Sequence, residues 1–172
     1  VEFRGDHASI QVYEETTGIG PGEPVEDTEA PLSVELGPGL IESIYDGIQR
    51  PLDALVRAEG AFMSRGSAMP GLNRTKKWAF RPTVADGAQV GPGDIIGEVK
   101  ETTLVLHKIM VPPGIRGTIQ GIKAGAYTVE QPVAHCVAED GTKQPLTLMQ
   151  KWPVRNARPI LRRLAPVNVL VS

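Results

Sequence analysis

A mainly β fold is predicted for this 172-residue chain, and three observations predict it. The chain carries 19 Gly and 15 Pro, so turns must be frequent. Aromatic residues make up only 5% and hydrophobic residues 41%, which in a turn-rich chain favours many short strands over long helices. Residues 8–13 alternate, with Ala8, Ile10 and Val12 on one face and Ser9, Gln11 and Tyr13 on the other, which is strand periodicity. A chain of this length corresponds to one domain, or one small domain plus an attached fragment. It buries roughly 70% of its unfolded surface, enough for a core without staples.

In chain order, the strand at 8–13 runs into TTGIGPGEPV, which supplies turn chemistry. Pro38 and Gly39 precede a helical stretch in which Ile41, Ile44, Tyr45 and Ile48 recur at helix spacing, and Gly47 breaks it. Pro51 suits the first position of a second short helix over 52–58, because its missing N–H is an orphan there anyway. Gly60 supplies the left-handed stop, and Leu52, Leu55 and Val56 face inward. Strands follow at 78–80, 97–99, 104–109, 118–122, 127–137 with Pro132 interrupting, and 144–150. GPGD at 91–94, PPG at 112–114 and EDG at 139–141 form turns between them. No internal repeat at a fixed period is apparent.

Composition narrows the function classes. A net charge of −2 and a pI near 6.0 give no electrostatic drive towards nucleic acid or an anionic bilayer. No apolar run reaches transmembrane length, so any membrane link is through partners. The single Cys136 forbids an internal disulfide and suits a reducing compartment, with cytoplasm as the default.

The candidate chemistry is sparse. His7, His107 and His135 are too scattered for a metal site, and no pair has the helical zinc spacing. His135 and Cys136 are neighbours on a strand and point to opposite faces. The acids Glu14, Glu15, Glu23, Glu26, Asp27 and Glu29 read as solvated loop residues without calcium-loop spacing. Arg155, Arg158, Arg162 and Arg163 form a basic cluster with no interleaved aromatics beyond Trp152, so a partner-facing or domain-facing role fits better than nucleic acid. Lys76, Lys77, Trp78 and Phe80 combine charge with apolar area and mark either a partner contact or core. Asp46, Gln49 and Arg50 are all usable in phosphoryl transfer. However, the chain has no Gly-Lys pair and hence no P-loop to cradle phosphate. Asp46 and Arg50, at i and i+4, are expected to pair with each other or with backbone groups; an exposed pair of that kind is worth about 0–1 kcal/mol.

The string GPGLIESIYDGIQRPL at 37–52, with QVYEETTGIGPGEPV at 11–25, KIMVPPGIRGTI at 108–119 and KWPVRNARP at 151–159, resembles the catalytic A subunit of archaeal A-type and vacuolar V-type rotary ATPases. The resemblance runs from about residue 8 to residue 172 and leans towards the archaeal type. It implies four regions. Residues 1–30 are the C-terminal part of an N-terminal β-barrel, 31–66 a helical connection, 67–152 a bulge domain of β-sandwich or barrel-sandwich type, and 153–172 a link towards a nucleotide-binding domain. Tyr45, Asp46, Arg50 and Pro51 then fix the connection, and Lys76, Lys77, Trp78, Arg155 and Arg158 are candidate partner contacts.

In the parent protein the family synthesises or hydrolyses ATP, with Mg, coupled to proton or sodium movement. The resemblance places the P-loop beyond residue 172 and gives this segment no cofactor or catalytic residue of its own. Its implied partners are non-catalytic B subunits, peripheral-stalk subunits and the remainder of the parent chain, in a cytoplasmic, membrane-peripheral location. A rival resemblance exists, because GDIIGEV, KIMVPP and GIRGTI also look like a biotinyl or lipoyl carrier. A carrier needs its modified Lys at a hairpin tip, which falls near residues 102–103, and neither Lys100 nor Lys108 lies there.

Overall fold

The computed structural model describes residues 2–27, 29–41, 43–60, 66–67 and 69–157. Strands β1 (Glu2–Arg4) and β2 (His7–Ser9) form an antiparallel hairpin, with Gly5 at positive φ in its turn. The strand expected over 8–13 is therefore truncated. β1 is only three residues long and pairs with nothing beyond Ser9, so Ile10, Val12 and Tyr13 continue unpaired and exposed.

Strand β3 (Ser33–Leu36) pairs antiparallel with a distant strand, β12 (Gln150–Pro153), from Leu36 opposite Gln150 to Ser33 opposite Pro153. The helix expected through Ile41, Ile44, Tyr45 and Ile48 does not form. Residues 44–52 reverse direction instead: Asp46 N–H donates to Arg50 O, Leu52 N–H donates to Ile44 O, and Tyr45 bridges Pro51. Local side-chain chemistry defeats the periodicity. The Asp46 carboxylate draws in the N–H groups of Ile48 and Arg50, Gln49 adopts a left-handed φ of 65°, and Ile44 is left 71% exposed.

The helix expected after Pro51 is present as α1 (Leu52–Glu59). Pro51 sits at the cap with extended backbone, and Gly60, at φ 77°, closes the end by donating its N–H to Val56 O. Leu55 is fully buried, while Val56 is exposed rather than inward. Leu52 and Glu59 are half-buried on the face of Leu55, at i, i+3 and i+7, and Val56 falls past its rim.

Eight strands then build a two-layer sandwich. The first four are β4 (Trp78–Pro82), β5 (Gln89–Val90), β6 (Ile95–Lys100) and β7 (Leu106–Met110). The second four are β8 (Gly117–Gln120), β9 (Gly125–Tyr127), β10 (Pro132–Val137) and β11 (Lys143–Thr147). The sheet orders are β7-β6-β4-β9 and β11-β10-β8-β5. Adding four to β7, β6 and β4 produces β11, β10 and β8, while β9 and β5 trade places at the edges. The sandwich is therefore an internal duplication that the side chains conceal. Each half lends its short second strand to the sheet of the other.

The registers agree with this equivalence. Phe80 faces Val99 in the first half as Ile119 faces Cys136 in the second. The strand register shifts before Gly97 in one half and before Ala134 in the other. The expected strands at 127–137 and 144–150 each divide in two. Pro132 begins β10, and between β11 and β12 the Thr147 hydroxyl donates to Met149 O.

The two layers enclose one core, made largely of Phe80, Ile96, Val99, Ile119, Val133 and Leu146, with Trp78 at 6% exposure. Each fully buried aliphatic side chain of this kind stabilises by roughly 1.5–3 kcal/mol. The Phe80 ring meets Tyr127 edge-on at 6.2 Å. No helix among the described residues is long and apolar enough to cross a membrane.

Candidate functional site

Tyr45, Asp46, Arg50 and Pro51 meet in the reversal that precedes α1, and Arg50 ties it to Glu14 of the amino-terminal segment and to Ser67. Asp46 Oδ1 accepts the N–H groups of Ile48 at 3.1 Å and Arg50 at 2.8 Å, and Oδ2 accepts Arg50 Nε–H at 2.6 Å. The other end of the guanidinium donates from Nη1 to Glu14 Oε1 at 2.7 Å and to Ser67 O at 3.1 Å. Glu14 Oε2 accepts Gly66 N–H at 2.8 Å. Arg50 is only 9% exposed, so the expectation of an exposed pair with little energetic value is corrected. Removing one member of a triad this sheltered costs about 2–4 kcal/mol, because its partners stay behind partly desolvated. Glu14 also leaves the group of solvated loop acids. Nothing in its local sequence signals this, since Arg50 lies thirty-six residues away. Tyr45 is half-buried and donates its hydroxyl to Gly39 O.

The electrostatics follow the contacts. Burial alone would raise the Asp46 carboxyl, but the backbone N–H and guanidinium of Arg50 and the N–H of Ile48 outweigh it and hold it below the usual range. Glu14 is lowered chiefly by the Gly66 N–H and then by Arg50. Arg50 is raised, first by its bond to Asp46. With both ends of the guanidinium occupied by carboxylates, Arg50 is not available to a phosphate.

A second network sits behind the first. Glu35, 9% exposed, accepts Leu72 N–H at 3.0 Å and a short bond from Arg74, whose Nε also contacts Glu130 at 2.7 Å. Burial works to raise Glu35, yet Arg74 and the Leu72 N–H keep it lowered. Arg74 is raised, led by its bond to Glu35. The Gln49 side chain docks on the backbone of Glu35, accepting its N–H at 2.6 Å and donating to its carbonyl at 2.7 Å. A Cβ on Gly71 would meet Gln49 Cδ at 2.9 Å, so a side chain there would press Gln49 off its dock on Glu35.

A third contact pins the GPGLI loop to the sandwich. Glu101, its side chain 2% exposed, accepts Gly39 N–H at 2.5 Å and Ile41 N–H at 3.3 Å through Oε1, while Oε2 meets His107 Nδ1 at 3.1 Å. Glu35, Arg74, Glu101 and His107 were not singled out by sequence as a set. Their only signal was charge placed beside apolar strand residues.

Trp78 belongs to the core, which corrects its reading as a direct partner contact. Lys76 and Lys77 are exposed, and Lys76 Nζ sits 3.9 Å from the Trp78 ring centre. Arg155 is exposed, and Arg158 lies outside the described residues. Cys136 is buried, which pushes its thiol up and away from nucleophilic use. Among the described residues no group of three or more His, Cys, Asp or Glu is placed to hold a metal ion.

The duplicated sandwich and the hairpin joined to it match known proteins. The ATP synthase alpha/beta subunit barrel-sandwich domain matches residues 69–155, and the β-barrel domain of the ATP synthase alpha/beta family matches residues 1–29. This chain belongs to the ATP synthase alpha/beta family. It is 60% identical over 173 residues to the V-type ATP synthase alpha chain of Clostridium perfringens, an alignment that covers 100% of this chain and 29% of that protein. The V-type ATP synthase alpha chain of Thermoanaerobacter pseudethanolicus is 55% identical over 166 residues, covering 96% of this chain and 28% of the relative. That of Acetivibrio thermocellus is 55% identical over 172 residues, covering 100% and 29%. The chain thus spans under a third of the length of these curated relatives.

The relatives are bacterial, so the expected lean towards an archaeal protein is not supported. The carrier reading also falls. The family is that of the ATP synthase subunits, and the β6–β7 tip at 101–105 presents Glu, Thr, Thr, Leu and Val rather than Lys.

Proposed function

We propose that this chain serves as the non-catalytic front of a rotary ATPase catalytic A subunit, holding the subunit ring together and meeting the peripheral stalk. In that role the parent synthesises or hydrolyses ATP, coupled to proton or sodium movement, at a cytoplasmic, membrane-peripheral site. Nucleotide and Mg bind in a part of the parent outside this sequence. The amino-terminal segment is the ring-facing barrel portion, 31–66 the connection, 67–152 the outward bulge, and 153–172 the link onward.

The observation that carries the reading is a contrast in surface. Ile10, Val12, Tyr13, Ile19 and Val25 are all exposed within one short amino-terminal segment, whereas the much longer sandwich closes a core and exposes Ile95, Leu104 and Leu106 around the β6–β7 hairpin. So many exposed apolar side chains in one short stretch fit a surface that another protein chain covers. Lys76, Lys77 and Arg155 are offered as outward contacts to the stalk.

Hydrogen exchange on the assembled complex, with non-catalytic B subunits and stalk subunits added in turn, tests both surfaces. Protection of residues 7–25 on adding B subunits, and of 76–77 or 155 on adding stalk subunits, is expected. Unchanged exchange at 7–25 in the assembled ring would sink the assembly role, and no measurable stalk binding would sink the stalk role. Titration of this chain alone with Mg-ATP should give no binding heat; tight binding would overturn the division of labour.

A further inference from the structure

Independently of that reading, we infer that the outer edge of β7 is a docking edge for an extended, acidic segment of another protein chain, which adds to the sheet as a further strand. β7 ends the sheet order β7-β6-β4-β9, so one of its edges has no neighbouring strand. Glu101 N–H bonds Val105 O, and the ladder alternates from there: His107 and Ile109 turn their backbone groups towards β6, and Leu106, Lys108 and Met110 turn theirs away. Of these outward groups only Met110 O has a partner among the described residues, the Gln150 side chain at 2.7 Å.

The two halves of the sandwich treat this edge differently. Lys108 stands opposite Glu98, and at the equivalent place on the edge strand β11 Pro145 stands opposite His135. Proline has no N–H to offer there, so β11 is closed to a further strand. β7 keeps its N–H groups. It also borders a groove of about 450 Å³ that runs its whole length and is walled by Leu36, Leu40 and Leu148, the last only 2% exposed.

The side chains of an added strand alternate, and its two faces meet different chemistry. Residues opposite His107 and Ile109 point into the groove, where Leu36, Leu40 and Leu148 favour apolar side chains. Those opposite Leu106 and Lys108 lie on the outer face of the sheet, beside Lys108 and, one strand further in, Lys100. Neither lysine has an ion-pair partner among the described residues, and the neighbouring acid, Glu98, is taken by Arg81. No carboxylate lines the groove among the described residues. Lysine blunts an edge against apolar and basic strands while leaving it open to an acidic one. The occupant that fits therefore alternates acidic with apolar residues, held by main-chain bonds and selected by its side chains. A second copy fits poorly, because pairing β7 with itself puts both Lys108 side chains on one face of a five-residue pairing.

The probe is a capped peptide of about seven residues that alternates glutamate with valine, added to ¹⁵N-labelled protein. Amide exchange at Leu106 and Lys108 should slow saturably with the peptide, while Lys143, on the proline-blunted edge, stays unchanged. A peptide with lysine in place of glutamate should bind at least about five-fold more weakly. A fully N-methylated twin, with the same charges but no backbone donors, should not protect these amides. Lys108→Glu should exchange the preference between the two charged peptides. Lys108→Pro, which copies β11, should abolish protection at Leu106 while the β4 and β6 amides stay slow. No protection by the glutamate peptide, equal binding of the lysine or N-methylated peptide, or an unchanged preference in Lys108→Glu would overturn the assignment. Protection that grows with protein concentration alone would overturn it too, giving the edge to a second copy.

Discussion

Between β6 and β7 the chain turns at 101–105 while gripping another part of the molecule; between β10 and β11 it turns at 138–142 in solvent. The two turns are otherwise equivalent. Glu101 N–H donates to Val105 O at 3.0 Å, and Ala138 N–H to Thr142 O at 2.9 Å. The difference lies in the first residue of each turn. Glu101 sends a buried carboxylate to the 39–41 backbone, whereas Ala138 has nothing to send, and its turn is held locally by Thr142 N–H on Asp140. A duplicated scaffold has thus been made directional by one side chain, leaving one end docked on the connection and the other free.

The interiors differ in the same economical way. Where the second half packs Ile119 and Ala134, the first packs Phe80 and Gly97, and a Cβ on Gly97 would lie 2.3 Å from the Phe80 ring. Gly97→Ala is therefore expected to destabilise by about 3 kcal/mol or more, read as a lowered urea midpoint. Adding Phe80→Ile, which reproduces the other half, should recover the part of that loss due to the ring, while the 2.7 Å approach to Arg81 O remains. A purely additive double mutant would break the equivalence of the halves.

Glu101→Ala gives the first turn the residue found at the second. It strands two loop N–H groups, so a loss of about 2–3 kcal/mol is expected, with increased exchange at Gly39 and Ile41. Asp140→Ala in the free turn should leave the melting temperature unchanged, and a comparable loss there would erase the contrast.

Acid should release the connection before the sandwich. Glu14, Glu35 and Asp46 have lowered folded-state values. Their stabilisation is therefore complete above the ordinary carboxylate range and is lost as pH falls from about 4 through the lower folded values. Exchange protection at Ile48 and Arg50 should fade in that window while β6 amides persist, and simultaneous loss would mean the joint and sandwich unfold as one.

Among the substitutions expected to destabilise, the smallest effect belongs to Gly141→Ala. Its φ of 84° disfavours a side chain, but nothing lies within 4 Å, so about 1 kcal/mol is expected from calorimetry.

Much of this was legible in sequence where the signal is local. Pro51 and Gly60 framed α1 correctly, and the Gly-Pro turns marked most sandwich strands. What failed depended on partners far along the chain. Ile41, Ile44 and Ile48 keep helical spacing, yet Asp46 and the docking of Gln49 on Glu35 decide that backbone. Glu14 looked like any loop acid until Arg50 met it. The duplication escaped notice because equivalence survives in register and turn geometry, while Phe-Gly and Ile-Ala share no letters.

The exchange of β5 and β9 between the halves bears on how the protein reaches its native state. Neither half can complete its own sheet, so a chain with one half formed has an open edge beside the missing strand. Formation of the sandwich must wait for contacts between residues distant in sequence, such as Phe80 with Gly125 and Val90 with Gly117. Such closure is slow by the standards of local hairpins. In effect the sandwich is a strand-swapped dimer fused into one chain. Two separately expressed halves should be unfolded apart and should assemble only when mixed.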